Sequence, residues 1–385
     1  MRILFVTHSF PRTRDDTAGA FVHRLARALQ VGGDDVRVLA PAAPGLIAET
    51  DVDGVLTQRY RYAPRAWETL AYTGNMAEQV GASLSGKIAL GGMLALGALA
   101  VRRAVRDWHP DIVHAHWWFP AGLQCAWMTG DTPMVVTSHG SDIRLAAATP
   151  ASHPVFRAVL RRAAQVTAVS TWLSEQAAAL APGRHPIVAP MPADTSLFIP
   201  GDSRHPARLL FVGRLNAQKG VARLLDALAA CGAGTALDII GEGDDRAALE
   251  RHAERAGIAH RVTFHGAMPQ RALVPFYRSA TALVVPSEGE GLGLVAVEAQ
   301  LCETPVIAFR SGGVTDVITD GESGVLVPAG DIAALAAAID AIVHDPVRAA
   351  ELGRAGREQA LTTFSPAAAA RAYRAIYRNA VQHVG

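Results

Sequence analysis

The chain is predicted to be an α/β protein built from two doubly wound parallel-sheet domains. Three observations predict it. Short apolar runs rich in β-branched residues recur along the whole chain, with helix-length segments between most of them. The runs form two series that open alike, Arg2-Ile3-Leu4-Phe5-Val6-Thr7 and Arg208-Leu209-Leu210-Phe211-Val212-Gly213. At 385 residues, 50% hydrophobic and 18% charged, the chain is long enough and apolar enough to fill two cores. Both domains are therefore expected to be Rossmann-like, facing a cleft. In such sheets ligands sit beyond the carboxyl ends of the strands.

The first series predicts strands at Arg2–Val6, Val36–Ala40, Asp111–His116, Met134–Ser138, Gln165–Ser170 and Pro186–Ala189. Helices are expected at Phe21–Leu29 and Pro154–Ala164. This defines a first domain over 1–189. Residues 190–206 are proline-rich and without period, and read as a linker. The second series predicts strands at Arg208–Val212, Leu237–Ile240, Arg261–His265, Leu283–Val285, Pro305–Phe309 and Gly324–Val327, with helices at Val221–Ala230 and Arg246–Ala256. It defines a second domain over 207–365. The remaining segment, 366–385, reads as a helix opened by Pro366 and able to pack back on the first domain. Ile88 to Val101 is a run of fourteen uncharged residues followed by Arg102, Arg103 and Arg106. It is shorter than the roughly 20 residues that span a bilayer. A buried helix is expected, with contact at a membrane surface as the alternative.

Composition narrows the function. Thirty-six basic residues against 35 acidic ones give a net charge of +1, which offers nucleic acid nothing to hold. Cys125, Cys231 and Cys302 are scattered and odd in number, as expected of reduced core cysteines in a cytoplasmic protein. The N-terminal apolar run is too short for a signal peptide. A peripheral contact at the inner face of the membrane stays open, and nothing bears on oligomeric state. Almost all basic residues are arginine. The two lysines are Lys87 and Lys219.

The polar motifs fall at the expected strand ends. Pro286-Ser287-Glu288-Gly289-Glu290-Gly291-Leu292-Gly293-Leu294 joins a strand to a helix that contains Glu298. A helix N-terminus of this kind suits a phosphate. Glu290 could reach a sugar from the turn, and Glu298 a ribose from the helix. Arg214 and Lys219 could clamp a diphosphate from the loop that ends at Gly220. Gly241 and Gly243 mark a tight turn close to the nucleotide. Arg246 stands where a dinucleotide fingerprint needs its third glycine. His265 reads either as a turn residue or as a platform for a base. Arg310-Ser311-Gly312-Gly313 is a further glycine-rich turn.

In the first domain Gly19 could let backbone approach a phosphate. His139 and Asp142 would face the carboxylates. His8, His116 and Trp117 are acceptor-side candidates. His114-Ala115-His116 lacks a nearby carboxylate that would complete a metal site, so acceptor contact or core packing is the better reading. Asp51-Val52-Asp53 resembles a metal–diphosphate motif but lies in an apparent loop.

Together these residues resemble the family-4 retaining glycosyltransferases with the GT-B fold. The matching pieces are the Gly213-Arg214-Leu215…Lys219-Gly220 loop, Gly241…Gly243, His265-Gly266, Pro286-Ser287, Glu290 with Glu298, and Gly312-Gly313, with His139-Gly140 and Gly19 in the first half. The resemblance implies that Arg214 and Lys219 hold the donor diphosphate and Glu298 the ribose. Glu290 and the backbone of Gly291, Leu292, Gly293 and Leu294 would hold the transferred sugar, with His139 near the reacting centre. Asp316, where the family often has Glu, and Met191-Pro192-Ala193-Asp194 depart from the family pattern.

The implied reaction moves a sugar from a nucleotide-diphosphate sugar, a UDP-sugar ahead of a GDP-sugar, to a hydroxyl on a glycan, lipid-linked or small-molecule acceptor. It proceeds with retention and needs no metal or cofactor. Two readings stand beside it. One is a nucleotide-sugar epimerase of similar shape; the other is a non-catalytic sugar-nucleotide-binding regulator.

Overall fold

The computed structural model describes residues 1–14, 16–72, 76–201, 205–232 and 234–382; linker positions 202–204 and C-terminal positions 383–385 lie outside them. It divides into two compact units, Met1–Pro192 with Pro366–Gly385, and Ala193–Ser365.

The first unit holds an eight-stranded sheet of β1 (Arg2–Val6), β2 (Asp35–Pro41), β3 (Glu49–Val52), β4 (Val55–Tyr60), β5 (Ile112–His116), β6 (Met134–Ser138), β7 (Gln165–Ala168) and β8 (Ile187–Val188). Their spatial order is β3-β4-β2-β1-β5-β6-β7-β8. Every neighbouring pair is parallel except β3 with β4. Central strands covered on both faces need apolar residues throughout, and all five residues of both β5 and β6 are buried.

The β3–β4 hairpin corrects the loop reading of Asp51-Val52-Asp53. Asp53 and Gly54 form its two-residue turn, both at positive φ (49° and 82°), and Asp51 Oδ1 accepts from the Gly54 N–H at 2.6 Å. Asp-Gly is a favoured pair for that turn. The acidic pair thus closes a hairpin.

The helix Pro366–Gln382 belongs to this unit. Its Tyr373 hydroxyl donates to the Ala189 carbonyl at 3.1 Å, and Arg374 pairs with Asp34 at 2.6 Å. Asp34 also pairs with the N-terminal amine at 2.9 Å.

The second unit holds a six-stranded, wholly parallel sheet. Its strands are β9 (Arg208–Val212), β10 (Ala236–Ile240), β11 (Val262–Gly266), β12 (Ala282–Val285), β13 (Val306–Phe309) and β14 (Val325–Val327), in the order β11-β10-β9-β12-β13-β14. Residues 193–200, expected as linker, are fixed to this unit. Asp194 Oδ1 accepts from the Ser196 and Leu197 N–H groups, Phe198 packs edge-on against Tyr277 at 5.6 Å, and Arg278 donates to the Ile199 carbonyl at 2.8 Å.

Candidate active site

Among the parallel strands of each sheet the chain order reverses once, and such a reversal leaves the loops on either side free to diverge and admit a ligand. In the second unit β9 comes first, β10 and β11 run off to one side, and β12 to β14 to the other. The switch point lies between β9 and β12. The loops leaving these strands are the Arg214–Lys219 loop and the Glu290 loop.

These two loops are laced together. The Glu288 N–H donates to the Gln218 carbonyl at 3.1 Å, Gln218 Nε2 donates to the Gly289 carbonyl at 3.2 Å, and Arg223 pairs with Glu288 at 2.9 Å. Lys219 Nζ then forms an ion pair with Glu290 Oε1. Only 22% of the lysine and 10% of the glutamate side chain is exposed, so the pair is partly desolvated and poorly screened by salt. Arg214 is exposed at the base of the same loop.

The loop after β13 is joined on as well. The Gly313 N–H donates to the Glu290 carbonyl at 2.8 Å, and the Gly289 N–H donates to Ser311 Oγ at 3.1 Å. Glu290 is therefore held on both sides. Past it, Gly291 and Leu292 lead to Gly293 at φ 88°, which caps the helix Leu294–Leu301.

The loop after β10 lies against the first loop from the other side. Gly241 has φ 149°, and a Cβ there would stand 1.8 Å from the Gly213 carbonyl oxygen. A Cβ on Gly243 would stand 2.1 Å from the Leu215 carbonyl oxygen. Both glycines are required by the packing of one loop on the next, a different reason from approach to a nucleotide. Arg246 pairs with Glu242 at 2.7 Å and Glu250 at 3.0 Å, which accounts for it where the fingerprint wants glycine.

Glu298 sits inside the Leu294–Leu301 helix and is buried. Its Oε1 accepts from Gln270 Nε2 at 2.7 Å and its Oε2 from the Tyr277 hydroxyl at 2.9 Å. Burial, then the neighbouring carboxylate, pushes the Tyr277 phenol well above its ordinary value. His265 lies in β11, which corrects the turn reading. Its Nε2 is 2.7 Å from Asp238 Oδ1, and Asp238 also takes Arg208 at 3.0 Å. Its ring packs edge-on to Phe276 at 4.9 Å.

The first unit repeats the arrangement. Its switch point lies between β1 and β5. His8 leaves β1 and Trp117 leaves β5, and their rings meet at 4.5 Å. His139 leaves β6 and its ring packs at a tilt against Trp117 at 4.3 Å and Phe21 at 5.1 Å. Trp117 holds φ 69°, a conformation that costs an L-residue on the order of 1–3 kcal/mol. It is kept there by its N–H on the Thr137 carbonyl at 2.8 Å and its indole N–H on Ser141 Oγ at 3.1 Å. Gly19, at φ 69°, carries the Ser9 carbonyl oxygen 2.1 Å from where a Cβ would be. It opens the helix Ala20–Val31.

Two acceptor-side candidates are corrected. Asp142 is buried and points inward. Its Oδ1 accepts from the His139 and Gly140 N–H groups, both at 3.0 Å, and its Oδ2 from the Trp118 N–H at 3.2 Å. Burial raises its pKa against these donors. It anchors the turn that carries His139. His116 is wholly buried, which settles it as core packing; its Nδ1 lies 3.1 Å from His139 Nε2. Its own Nε2 is buried with no partner among the described residues. An orphaned N–H costs more than a bare acceptor. His116 therefore carries its proton on Nδ1 and donates to His139, whose own proton is left on Nδ1. His114 is likewise internal, with Nδ1 2.8 Å from the Tyr377 hydroxyl and Nε2 2.6 Å from Thr137 Oγ1. Burial lowers the pKa of His114, His116 and His139 well below the ordinary value, and that of His8 to about 4.

Comparisons with known proteins identify the family. The profile of Glycosyltransferase Family 4 matches residues 18–197, and that of Glycosyl transferases group 1 matches residues 196–359. Glycogen synthase of Mycobacterium tuberculosis is 30% identical over 404 residues, covering 98% of this chain and 94% of that protein. The chain belongs to the family-4-type glycosyltransferases.

Among solved structures, sucrose-phosphate synthase from Thermosynechococcus elongatus matches with a TM-score of 0.80 at 24% identity, over 99% of both chains. Anabaena HepE in complex with UDP-glucose matches with a TM-score of 0.73 at 19% identity, over 98% of this chain and 99% of that one. This glycosyltransferase thus has the GT-B fold. Of its expected donor residues, the structure brings Arg214, Lys219, Glu290, Gly291, Leu292 and Gly293 into two joined loops, with Leu294 opening the helix that follows and Glu298 one turn further on. Sequence reasoning missed Gln218, Arg223 and Glu288, which join the loops, and Gln270, Tyr277 and Asp238, which hold Glu298 and His265.

Proposed function

We propose that this glycosyltransferase is a retaining enzyme that transfers a sugar from a UDP-sugar to a hydroxyl acceptor without a metal ion. The observation that carries the reading is the Lys219–Glu290 pair, formed by residues 71 apart in sequence at the switch point of the second sheet. It sets a cation for a diphosphate and a carboxylate for sugar hydroxyls side by side, before a helix N-terminus.

The chemistry follows from that placement. When the bond from the sugar's anomeric carbon to the diphosphate oxygen breaks, negative charge grows on the leaving group. Lys219, Arg214 and the first-turn N–H groups of Leu294–Leu301 stabilise that charge, and fixed cations and dipoles do so without reorganising. The acceptor oxygen attacks from the face the diphosphate leaves, and its proton passes to a diphosphate oxygen. Glu290 orients the sugar, and Glu298 takes the ribose hydroxyls. On the acceptor side the candidates are His8 and Trp117, which leave the two strands at the switch, and His139, whose ring packs on Trp117. The donor reading is supported by the UDP-glucose held by a neighbour of the same fold.

Nucleotide release from a panel of UDP- and GDP-sugars, with candidate acceptors and with EDTA, tests the proposal. Acceptor-dependent release of UDP that survives chelation is expected. Loss of release on chelation, restored by Mg²⁺ or Mn²⁺, would overturn the metal-independent reading. Activity with GDP-sugars alone would overturn the donor.

A further inference from the structure

The run expected as a buried core helix is part of a longer one. Leu84–Trp108 is 25 residues long and capped by Ser83, whose hydroxyl accepts from the Gly86 N–H at 3.0 Å. One stripe, Gly86, Ala89, Met93, Gly97 and Val101, is buried, and Gln124 donates to the Met93 carbonyl at 2.8 Å. The rest faces outward. Only 28% of its most apolar 18-residue stretch is buried. Leu84 is 73% exposed, Ile88 52% and Leu99 46%. Spacings of four, seven and four residues put Leu84, Ile88, Ala95 and Leu99 on one face, which Arg102 and Arg106 continue. Leu96 and Arg103 flank it, both exposed.

Charge is distributed to match. From Leu84 to Arg106 there is no acidic residue, and the basic ones stand at the two ends: Lys87, then Arg102, Arg103 and Arg106. Asp107, which follows, pairs with Arg106 at 2.7 Å. Two partly exposed tryptophans lie on neighbouring segments: Trp67 ends a turn packed on this helix, and Trp127 follows the Leu123–Cys125 turn, which packs on it too. An apolar face with basic ends and nearby tryptophans is the composition of a helix lying in the headgroup region of a bilayer. The buried stripe ties the helix to the sheet, so it lies along the surface.

We propose that this face docks the protein on an anionic phospholipid bilayer. Leu84, Ile88, Leu96 and Leu99 enter the boundary between headgroups and acyl chains, and Lys87, Arg102 and Arg103 meet lipid phosphates. The proposal is independent of donor chemistry. A second copy of this chain is the competing occupant.

Sedimentation with vesicles of phosphatidylcholine, with and without phosphatidylglycerol, at low and high salt, tests it. Wild-type protein should pellet with the anionic vesicles, less so at high salt, and weakly with phosphatidylcholine alone. The double variant Arg102→Glu with Arg103→Glu should lose at least about 25-fold in partitioning, since each basic residue near an anionic surface contributes roughly five-fold. The triple variant Leu84→Ser, Ile88→Ser and Leu99→Ser should lose binding while melting like the wild type, because all three positions are exposed. No pelleting at low salt, or pelleting unaffected by both variants, would overturn the proposal. So would a dimer in ultracentrifugation that the leucine variant dissolves while vesicles bind neither form.

Discussion

Glu298 is asked to hold a ribose while it already accepts hydrogen bonds from Gln270 and Tyr277. A carboxylate accepts along about four lone-pair directions, so bonds to Gln270 and Tyr277 are compatible with a further role toward ribose hydroxyls. The two duties separate by mutation. Glu298→Ala strips the acceptor from the Tyr277 hydroxyl, which is fully buried. An unsatisfied buried hydroxyl costs about 1–3 kcal/mol, and the vacated helix position adds a cavity, so a stability loss of about 2–4 kcal/mol is expected. The same variant loses charge-assisted bonds to the ribose worth about 1.5–3 kcal/mol, or roughly 10- to 150-fold in UDP affinity. Tyr277→Phe removes only the structural bond. It should cost about 1–2 kcal/mol of stability and leave UDP affinity within about three-fold. Urea denaturation and calorimetry with UDP, run on both variants, read the two effects. Unchanged UDP affinity in Glu298→Ala, with stability lost, would reduce Glu298 to a helix-anchoring carboxylate. An equal loss of affinity in Tyr277→Phe would show that the helix, not the carboxylate, governs binding.

Three further outcomes follow from the geometry. Lys219→Arg should lower turnover clearly and Lys219→Ala further; because Lys219 is paired and partly buried, Lys219→Ala should also cost about 1 kcal/mol, more than the roughly 0.5 kcal/mol of an exposed loop change, and steady-state kinetics with normal turnover in both variants would remove it from the site. Gly241→Ala forces a Cβ onto the Gly213 carbonyl at positive φ and should destabilise by about 2–5 kcal/mol in urea denaturation; a change below about 0.5 kcal/mol would contradict the loop packing. His8, His114, His116 and His139 are held neutral by burial, whereas the unfolded chain protonates them near pH 6.5. Their depressed folded pKa values leave stability complete above pH 6.5 and erode it as pH falls below, by up to about 1.4 kcal/mol per pH unit for each histidine. Melting temperatures from pH 8 to pH 5 check it, and a flat profile would contradict the buried cluster.

What the sequence made legible was the periodic part. β1, β6 and β9 begin and end where the apolar runs do, because central parallel strands are apolar on both faces. The hairpin of β3 and β4 was hidden by Glu49-Thr50-Asp51, a polar edge strand, although Asp53-Gly54 was a readable turn signal. The Leu84–Trp108 helix looked shorter than it is because Gly91, Gly92 and Gly97 weaken its period and charged residues fill its last turns. Lys219 and Glu290 were each legible from their loops. That they meet was not, since the meeting depends on the strand order β9-β12. The same holds for Tyr277 with Glu298 and Asp238 with His265, pairs 21 and 27 residues apart whose contacts exist only once the sheet has formed. Asp142 was misread because a carboxylate beside a histidine looks like chemistry, while the backbone N–H groups of His139, Gly140 and Trp118 needed an acceptor.

The most direct test of the account is the configuration of the product. With an acceptor that releases UDP, proton NMR of the anomeric signal should be recorded on the first product formed from an α-linked UDP-sugar. The account predicts an α-linked product, formed with EDTA present and lost in Lys219→Ala. A β-linked product would contradict attack from the face that the diphosphate leaves.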